Sequence, residues 1–209
     1  LPPHFAGLPE IRARFLQEAR TAARLAHPHI VPIHAVETNG DLACFVMSYV
    51  AGKTLAEVVR EDGPLPPAVV GRMVQEVAWA LAYAHQQGVV HRDVKPDNIL
   101  IERGTGRALV MDFGIAQVAR DTPITPPEQR FGTPRYASPE LAAGESADGR
   151  SDLYSLGVTA YFALTGRTPF DGDHASALLV QHLTAVPPPV ASLRPGTPPA
   201  LARAIDRCL

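Results

Sequence analysis

The stretch between positions 91 and 112 constrains the fold of this chain more than any other. It opens with the polar run HRDVKPDN, in which Pro96 excludes a regular helix and favours extended backbone in the residue before it. Two apolar runs follow at 99–101 and 109–111, on either side of a Gly-Thr-Gly turn at 104–106. Short apolar runs around a glycine-containing turn predict a β-hairpin.

The predicted hairpin determines which polar side chains meet. Its two ends bring Asn98, which precedes the first strand, beside Asp112, which follows the second. Residues two apart on an extended segment share a side, so Asp93 and Lys95 are expected to face the same space. Two carboxylates, an amide oxygen and an ammonium group therefore surround one point.

This set of groups suits phosphoryl transfer. Oxygen ligands from Asn98 and Asp112 suit Mg²⁺, which takes few protein ligands when phosphates and water supply the rest. Lys95 can neutralise charge on a phosphoryl group, and Asp93 can orient a hydroxyl and accept its proton. The alternative is a polar turn with local caps and a surface ion pair, which the convergence of four groups disfavours.

Composition excludes several other classes of protein. The chain has 209 residues, 46% of them hydrophobic, and a net charge of −2, which predicts a folded domain rather than a disordered chain. This charge balance disfavours a nucleic-acid clamp, and no apolar run reaches membrane-spanning length. Cys44 and Cys208 lie far apart, which excludes a cysteine-rich zinc site and fits a reducing compartment. We therefore expect a cytoplasmic location.

The N-terminal part predicts a helix followed by a hairpin. Residues 9–26 carry apolar side chains at helical spacing, and Glu18 falls on the same stripe, where it needs a cationic partner. That partner is either Arg14 one turn earlier, which the spacing favours, or a residue on another element. The runs at 30–37 and 42–50 are typical of strands joined by an Asn-Gly turn.

The rest of the chain is predicted to be mostly helical. A long amphipathic helix at 67–87 ends at Gly88. A loop with several prolines is predicted at 115–135, and further helices at 151–165 and 173–184.

Prolines and histidines mark the C-terminal part. The proline-rich stretch 187–199 predicts an irregular connection, and a last helix is expected to begin near Pro199 and to continue to Leu209. His174 and His182 lie eight residues apart with no other metal ligand nearby in sequence. We expect both on a solvated helix face.

Several motifs together resemble the protein kinases. The run HRDVKPDN followed by Asp112-Phe113-Gly114 resembles the catalytic loop and metal-binding turn of bacterial, eukaryotic-like (Hanks-type) serine/threonine protein kinases. FLQEARTAARLAHPHIVPI resembles the regulatory helix and following strand of that family, and FVMSYVAGKTL its nucleotide hinge. GTPRYASPE resembles the segment that closes the activation loop, and SDLYSLGVTAYFALTGRTPF the buried central helix. The similarity covers essentially all of the chain.

The resemblance implies roles for the residues of the catalytic loop. Asp93 matches the catalytic base, and Lys95 matches the phosphate-contacting lysine. Asn98 and Asp112 match the two metal ligands, which also makes Asn98 a residue of the catalytic set. Asp152 matches the helix residue that holds the backbone of the catalytic loop.

The resemblance also implies a nucleotide site. Met47 matches the gatekeeper, Tyr49 and Val50 match the hinge, and Leu100 matches the floor under the adenine. Glu18 matches the carboxylate that pairs with a small-lobe lysine. The implied cofactors are ATP and Mg²⁺, with Mn²⁺ as an alternative metal.

Substrate and regulatory residues follow from the same resemblance. Thr133 matches the threonine that bonds toward the catalytic Asp and favours Ser or Thr hydroxyls. Arg92 precedes the catalytic Asp, and the following loop carries Thr122 and Thr125. A phosphothreonine there would supply a partner for Arg92 and order the loop. The spacing favours Thr125 as the modified residue and an ordinary loop role for Thr122.

The implied fold is α+β in two lobes. Residues 1–47 are expected to form a remnant of the small lobe, 48–52 the hinge, and 53–209 a mostly helical large lobe. The glycine-rich phosphate loop and strand lysine have no counterpart, nor does the arginine that pairs with Glu140 in the family. This indicates a catalytic domain truncated at both ends, which would bind ATP weakly by itself.

The implied activity is transfer of the γ-phosphate of ATP to Ser and Thr hydroxyls of proteins. The implied partners are protein substrates and a second kinase molecule for autophosphorylation, with no nucleic acid. The resemblance also allows a cytoplasmic part of a membrane-anchored parent. Two alternatives are a kinase-like scaffold without catalysis and a small-molecule phosphotransferase of the aminoglycoside-kinase type. The GTPRYASPE segment, which seats a peptide in the family, disfavours the phosphotransferase.

Overall fold

The computed structural model describes residues 9–39, 42–113, 133–172 and 174–209. Its N-terminal part holds helix α1 (Pro9–Ala22) and an antiparallel pair, β1 (Ile33–Asn39) and β2 (Leu42–Met47). The predicted helix and strand pair are confirmed, although α1 ends four residues before the predicted position. It ends early because the backbone N–H groups of Arg24 and Leu25 bond to carbonyls three residues back, which tightens the last turn. The tip of the predicted Asn-Gly turn lies outside the described residues.

A three-stranded antiparallel sheet follows, in the order β3, β4, β5. Its strands are β3 (Gly52–Thr54), β4 (Ile99–Glu102) and β5 (Ala108–Val110). The pairing of β4 with β5 confirms the predicted hairpin. Val110 of the hairpin also forms a parallel bridge to Ile30, which joins this sheet to the segment before β1.

Helix α2 (Leu55–Asp62) starts directly after β3 because its first turn is capped. The Thr54 side chain accepts a hydrogen bond from the backbone of Glu57, and the Glu57 carboxylate accepts one from the backbone of Thr54. This reciprocal pair satisfies two amides that would otherwise lack partners.

Six further helices form the rest of the described chain. They are α3 (Pro67–Gln86), α4 (Pro139–Ala142), α5 (Gly149–Thr165), α6 (Ala175–Thr184), α7 (Val190–Leu193) and α8 (Pro199–Asp206). None of the helices in the described ranges is long and apolar enough to cross a lipid bilayer.

Two details of this helical part correct the expectation from sequence. The proline-rich stretch contains helix α7, whose first amide at Val190 donates to the Asp206 carboxylate at 3.0 Å. A contact from α8 therefore stabilises a helix that local composition disfavours. Helix α8 ends at Asp206 and does not continue to Leu209, because a turn follows it.

The core lies where α3 packs against α5. Helix α5 is buried on almost every side, so its sequence shows little amphipathic pattern. Buried side chains of both helices, such as Val77, Leu81 and Leu164, are fully shielded from water. This packing gives the polar loop at 91–98 a rigid support on one side.

Candidate active site

Two side chains of the predicted set, Lys95 and Asn98, donate hydrogen bonds to a third, Asp93. The Lys95 ammonium donates to the Asp93 carboxylate at 2.9 Å, and the Asn98 amide donates to the same oxygen at 3.1 Å. The Asn98 amide also donates to the backbone carbonyl of Asp93 at 2.8 Å. The Lys95 and Asp93 side chains are only 14% and 11% exposed, so water screens their charges weakly.

The local backbone explains this convergence. Lys95 is extended, as expected for a residue before proline, and Pro96–Asn98 form a single 3₁₀ turn. The backbone N–H of Asn98 donates to the Lys95 carbonyl at 3.0 Å, and this bond closes the turn. The turn buries Asn98 directly at the start of β4.

Asp112 lies beside this group at the other end of the hairpin. The backbone N–H of Met111 donates to the Asn98 carbonyl at 3.0 Å, so the residues that flank the two strands are neighbours, as predicted. Burial raises the pKa of Asp112, the nearby His91 and Lys95 lower it, and the Asp93 charge raises it further. The combined effect is a pKa above the ordinary value for an aspartate.

The side-chain oxygens of Asn98 and Asp112 fit a magnesium ion. The Asn98 amide hydrogens are engaged by Asp93, and the Asn98 side-chain oxygen accepts no hydrogen bond from the described residues. Asp112 is a partly desolvated carboxylate near a second one, an arrangement that a divalent cation would stabilise. Within the described ranges, no three His, Cys, Asp or Glu residues gather in a way that could hold a metal ion. Such a site would therefore rely on phosphate and water for its remaining ligands, as Mg²⁺ sites commonly do.

A buried carboxylate on α5 anchors the backbone of the catalytic loop. Asp152 accepts hydrogen bonds from the backbone N–H groups of His91 at 2.8 Å and Arg92 at 2.7 Å. Arg92 has a positive φ of 64°, a conformation that non-glycine residues adopt at a cost. The two hydrogen bonds hold this strained turn in place.

Sequence reasoning missed a third partner of this anchor. The His85 ring nitrogen Nε2 lies 2.7 Å from the Asp152 carboxylate. Gly149, the first residue of α5, lets the ring approach, because a Cβ there would lie 2.7 Å from His85 Nδ1. No local pattern marks His85, since Asp152 is 67 residues further along the chain.

His91 connects the loop to the end of the hairpin. Its Nδ1 accepts from the Asp93 backbone N–H at 3.2 Å, and its Nε2 donates to the Met111 carbonyl at 3.0 Å. Its ring centroid lies 4.6 Å from that of Phe113. Both ring nitrogens thus have backbone partners, so His91 acts as a spacer between the two halves of the site.

The residues that the resemblance assigns to the nucleotide lie around the junction of the two sheets. Met47 ends β2, and Tyr49 and Val50 follow it in a segment without regular secondary structure. Leu100 lies on β4 and pairs with Thr54 of β3. The Tyr49 side chain is 93% exposed, so this residue would contact a nucleotide through its backbone.

Glu18 and Arg92 share a cavity of about 270 Å³ between α1 and the catalytic loop, and Phe113 also lines it. The Arg92 guanidinium makes no hydrogen bond or ion pair with a described residue. The predicted pairing of Glu18 with Arg14 concerns a side chain outside what the structure describes, and the predicted modification of Thr122 and Thr125 concerns residues outside it.

Thr133 precedes a 3₁₀ turn, Pro134–Tyr136, that packs on α5 and α6. The Tyr136 carbonyl accepts a hydrogen bond from the Ser155 hydroxyl of α5 at 2.8 Å, which holds this turn against α5. The contact from Thr133 toward Asp93 stays a prediction.

His182 contradicts its expected place on a solvated helix face. It is only 5% exposed, and its Nδ1 lies 2.7 Å from the Tyr154 hydroxyl. The backbone of Pro134 and Arg135 lies near the ring without a well-formed hydrogen bond to Nε2. Burial lowers the pKa of His182 to about 4, because these neighbours offset the lost water only in part. His182 thus supports the turn after Thr133.

The helical packing, the two small sheets and the loop geometry define the bilobal α+β protein kinase fold. The solved kinase domain of Mycobacterium tuberculosis PknI matches the whole chain with a TM-score of 0.68 at 33% identity and is covered to 84%. A double mutant of that domain matches with a TM-score of 0.71 at 32% identity and is covered to 82%.

The chain belongs to the protein kinase domain family, whose model matches residues 8–192. It is 44% identical over 193 residues to the serine/threonine-protein kinase PknB of Mycobacterium leprae, covering 90% of this chain and 31% of that protein. It is 40% identical over 196 residues to the serine/threonine-protein kinase PrkC of Bacillus subtilis, covering 94% of this chain and 30% of that protein. The chain thus spans about a third of the length of these relatives.

Proposed function

We propose that this chain provides the catalytic part of an ATP-dependent serine/threonine protein kinase. The observation that carries the proposal is that Lys95 and Asn98 are hydrogen-bonded to Asp93, while the bond from the Met111 N–H to the Asn98 carbonyl places Asp112 beside them. The names of the relatives support the reaction type, and the segment after Thr133 supports a protein substrate over a small molecule.

In this proposal each catalytic-loop residue has one role. Asp93 orients the substrate hydroxyl and accepts its proton, and Lys95 stabilises charge on the phosphoryl group. Asn98 and Asp112 hold Mg²⁺, or Mn²⁺ in its place, and the bound metal would offset negative charge on the nucleotide phosphates. His85, Asp152 and His91 keep the loop in position.

The nucleotide is assigned to the junction of the sheets. Met47, Tyr49 and Val50 form the hinge, and Leu100 forms the floor beneath the adenine. The boundaries at 1–47, 48–52 and 53–209 belong to the same proposal. The support is that the hinge segment leads directly into β3, which pairs with the strand carrying Leu100.

Regulation is assigned to Arg92 and the loop that follows Phe113. The Arg92 guanidinium has no partner among the described residues and lines the same cavity as Glu18. It can therefore form an ion pair with a phosphate group carried by Thr125. A second kinase molecule in the cytoplasm is the proposed source of that phosphate. Mass spectrometry of the active protein is expected to find Thr125 modified, and an unmodified Thr125 in active protein would contradict this assignment.

The direct test measures phosphate transfer from labelled ATP to a generic protein by the full-length protein. We expect Asp93→Asn to lower the rate by at least about a thousandfold, because the group that accepts the proton is lost. The matched control is Asp97→Asn, since Asp97 is an exposed carboxylate four residues later, in the 3₁₀ turn Pro96–Asn98. Equal loss in both variants, or activity that survives Asp93→Asn, would contradict the proposal.

The two alternative functions give different results in the same assay. A scaffold would bind nucleotide without transferring phosphate. A small-molecule phosphotransferase would modify aminoglycosides or sugars in preference to protein.

A further inference from the structure

A second cleft, of about 530 Å³, adjoins the segment that begins at Thr133. Its walls come from the 3₁₀ turn Pro134–Tyr136, the C-terminal end of α5 and the loop at 166–171. The position of this cleft beside the segment assigned to protein substrates makes its chemistry relevant to which substrates are chosen.

The charged groups of the cleft carry a net positive charge. Arg135 donates to the Asp171 carboxylate at 2.7 Å, in a pair whose side chains are 42% and 84% exposed. The Arg167 guanidinium makes no hydrogen bond or ion pair with any residue in the described ranges. Two cations and one exposed anion therefore line the cleft, and one cation is free to bind.

A buried hydroxyl under the cleft also lacks a partner. Tyr161 of α5 lines the cleft, its side chain is fully shielded from water, and its hydroxyl makes no hydrogen bond within the described part of the chain. Burial raises the pKa of Tyr161, Arg167 opposes this shift, and Asp206 adds to it. The hydroxyl therefore keeps its proton at neutral pH and can donate to an acceptor that reaches the floor.

We propose that this cleft binds an acidic side chain of the protein substrate, and that Arg167, assisted by Arg135, selects for it. The inference rests on the proposed kinase function and names the class of substrate that the same site prefers. A guanidinium offers paired donors that match the two oxygens of a carboxylate.

The walls favour a peptide over a free anion. Phe162, Pro169 and Leu193 contribute apolar surface to the cleft. A peptide segment can cover this surface while its carboxylate meets Arg167, whereas a small inorganic anion gains nothing from apolar walls. Apolar walls also reduce the screening of the charge pair.

The test uses the full-length protein and a set of peptides with one Thr acceptor. A Glu residue is moved through the positions on both sides of that Thr, and each peptide is matched by one with Gln at the same place. We expect kcat/KM to be about fivefold higher for Glu than for Gln at one position or two adjacent positions. Affinity for the same peptides with Ala in place of Thr, measured by fluorescence anisotropy without ATP, should show the same preference.

Variants locate the effect. Arg167→Gln is expected to bring the Glu-to-Gln ratio close to one, and Arg167→Glu should reverse it in favour of a Lys peptide. The matched control is Arg203→Gln, an exposed arginine on α8 away from the cleft, which should keep the wild-type ratio.

The outcomes separate this inference from the kinase assignment. Phosphorylation of the Gln peptides reports kinase activity alone, and the Glu-to-Gln ratio in rate and in binding reports the cleft. Equal ratios at every position, or a ratio that survives Arg167→Gln, would overturn the inference and leave the kinase assignment intact. Inorganic phosphate that binds at Arg167 while Glu and Gln peptides bind equally would also overturn it, because the cleft would then bind free anions.

Discussion

The catalytic loop and the region around α6 both bury polar side chains, but they satisfy them differently. In the catalytic loop, Asp152 receives three hydrogen bonds of 2.7–2.8 Å, and the side-chain NH2 group of Asn98 donates two to Asp93. In the second region, which we extend to the cleft at the C-terminal end of α5, one nitrogen of His182 and the hydroxyl of Tyr161 lack partners among the described residues. The difference indicates that the first region is fixed in advance, while the second retains binding capacity.

The largest expected effect on stability comes from replacing Asp152, the carboxylate that holds the backbone of the catalytic loop. Asp152→Ala leaves two buried backbone N–H groups and the His85 ring without their acceptor, so we expect unfolding free energy to fall by about 3–5 kcal/mol. Chemical denaturation measures this change. Asp148→Asn, which alters an exposed cap of the same helix, should cost about 1 kcal/mol or less. Similar losses in the two variants would erase the contrast between the regions.

The next effect concerns His182 and depends on pH. Its folded pKa is about 4 against 6.5 in the unfolded chain, so the unfolded state takes up a proton first as the pH falls. The contribution of the neutral His182 ring to the free energy of unfolding is therefore fully present above pH 6.5. It is lost as the pH falls from 6.5 to 4, and the loss amounts to about 3 kcal/mol.

Thermal unfolding at several pH values tests this prediction. His182→Gln should flatten the loss between neutral and acidic pH. The exposed His174→Gln serves as the control and should keep the wild-type profile. A wild-type profile that is already flat would show that the ring titrates as it does in water.

A smaller effect is expected at His85. Its ring is 25% exposed and supplies one of three bonds to Asp152, so His85→Ala should cost about 1–2 kcal/mol of stability and lower kcat more than it changes KM. His85→Gln, which can still donate, should recover part of kcat. Gln86→Ala, at an exposed site in the same turn, is the matched control. No recovery by Gln together with normal catalysis in His85→Ala would remove the positioning role.

The smallest effect on stability is expected in the second region, at the cleft that contains Asp171. Asp171→Asn breaks the pair with Arg135, but the Asp171 side chain is 84% exposed, so stability should change by less than about 0.5 kcal/mol. Denaturant titration checks this value. A loss as large as that from His85→Ala would mean that the cleft is as rigidly held as the catalytic loop.

Sequence reasoning predicted the catalytic loop because its signals are local. Pro96 forces extended backbone before it, and a glycine turn between apolar runs makes a hairpin, so the neighbourhood of Asn98 and Asp112 follows from nearby residues. The main helices followed from apolar spacing. The chemistry of Asp93, Lys95, Asn98 and Asp112 indicated phosphoryl transfer, and the family resemblance implied the same roles for them.

The features that sequence reasoning missed depend on distant partners. His182 was expected in water, but its burial is decided by Tyr154 and by the turn at 134–136, which the spacing along α6 does not reveal. The short helix α7 is held by a carboxylate of α8, so its proline-rich composition misleads. Tertiary contacts override local preference in both cases.

The left-handed backbone at Arg92 has a consequence for biosynthesis. The carboxylate that holds this turn, Asp152, is made 60 residues later, so the loop cannot reach its working shape until the central helix has left the ribosome. We expect a nascent kinase domain to stay silent through most of its translation. Ribosome-bound chains halted before α5 should show no protection of the His91 and Arg92 amides from hydrogen exchange, whereas released chains should protect both.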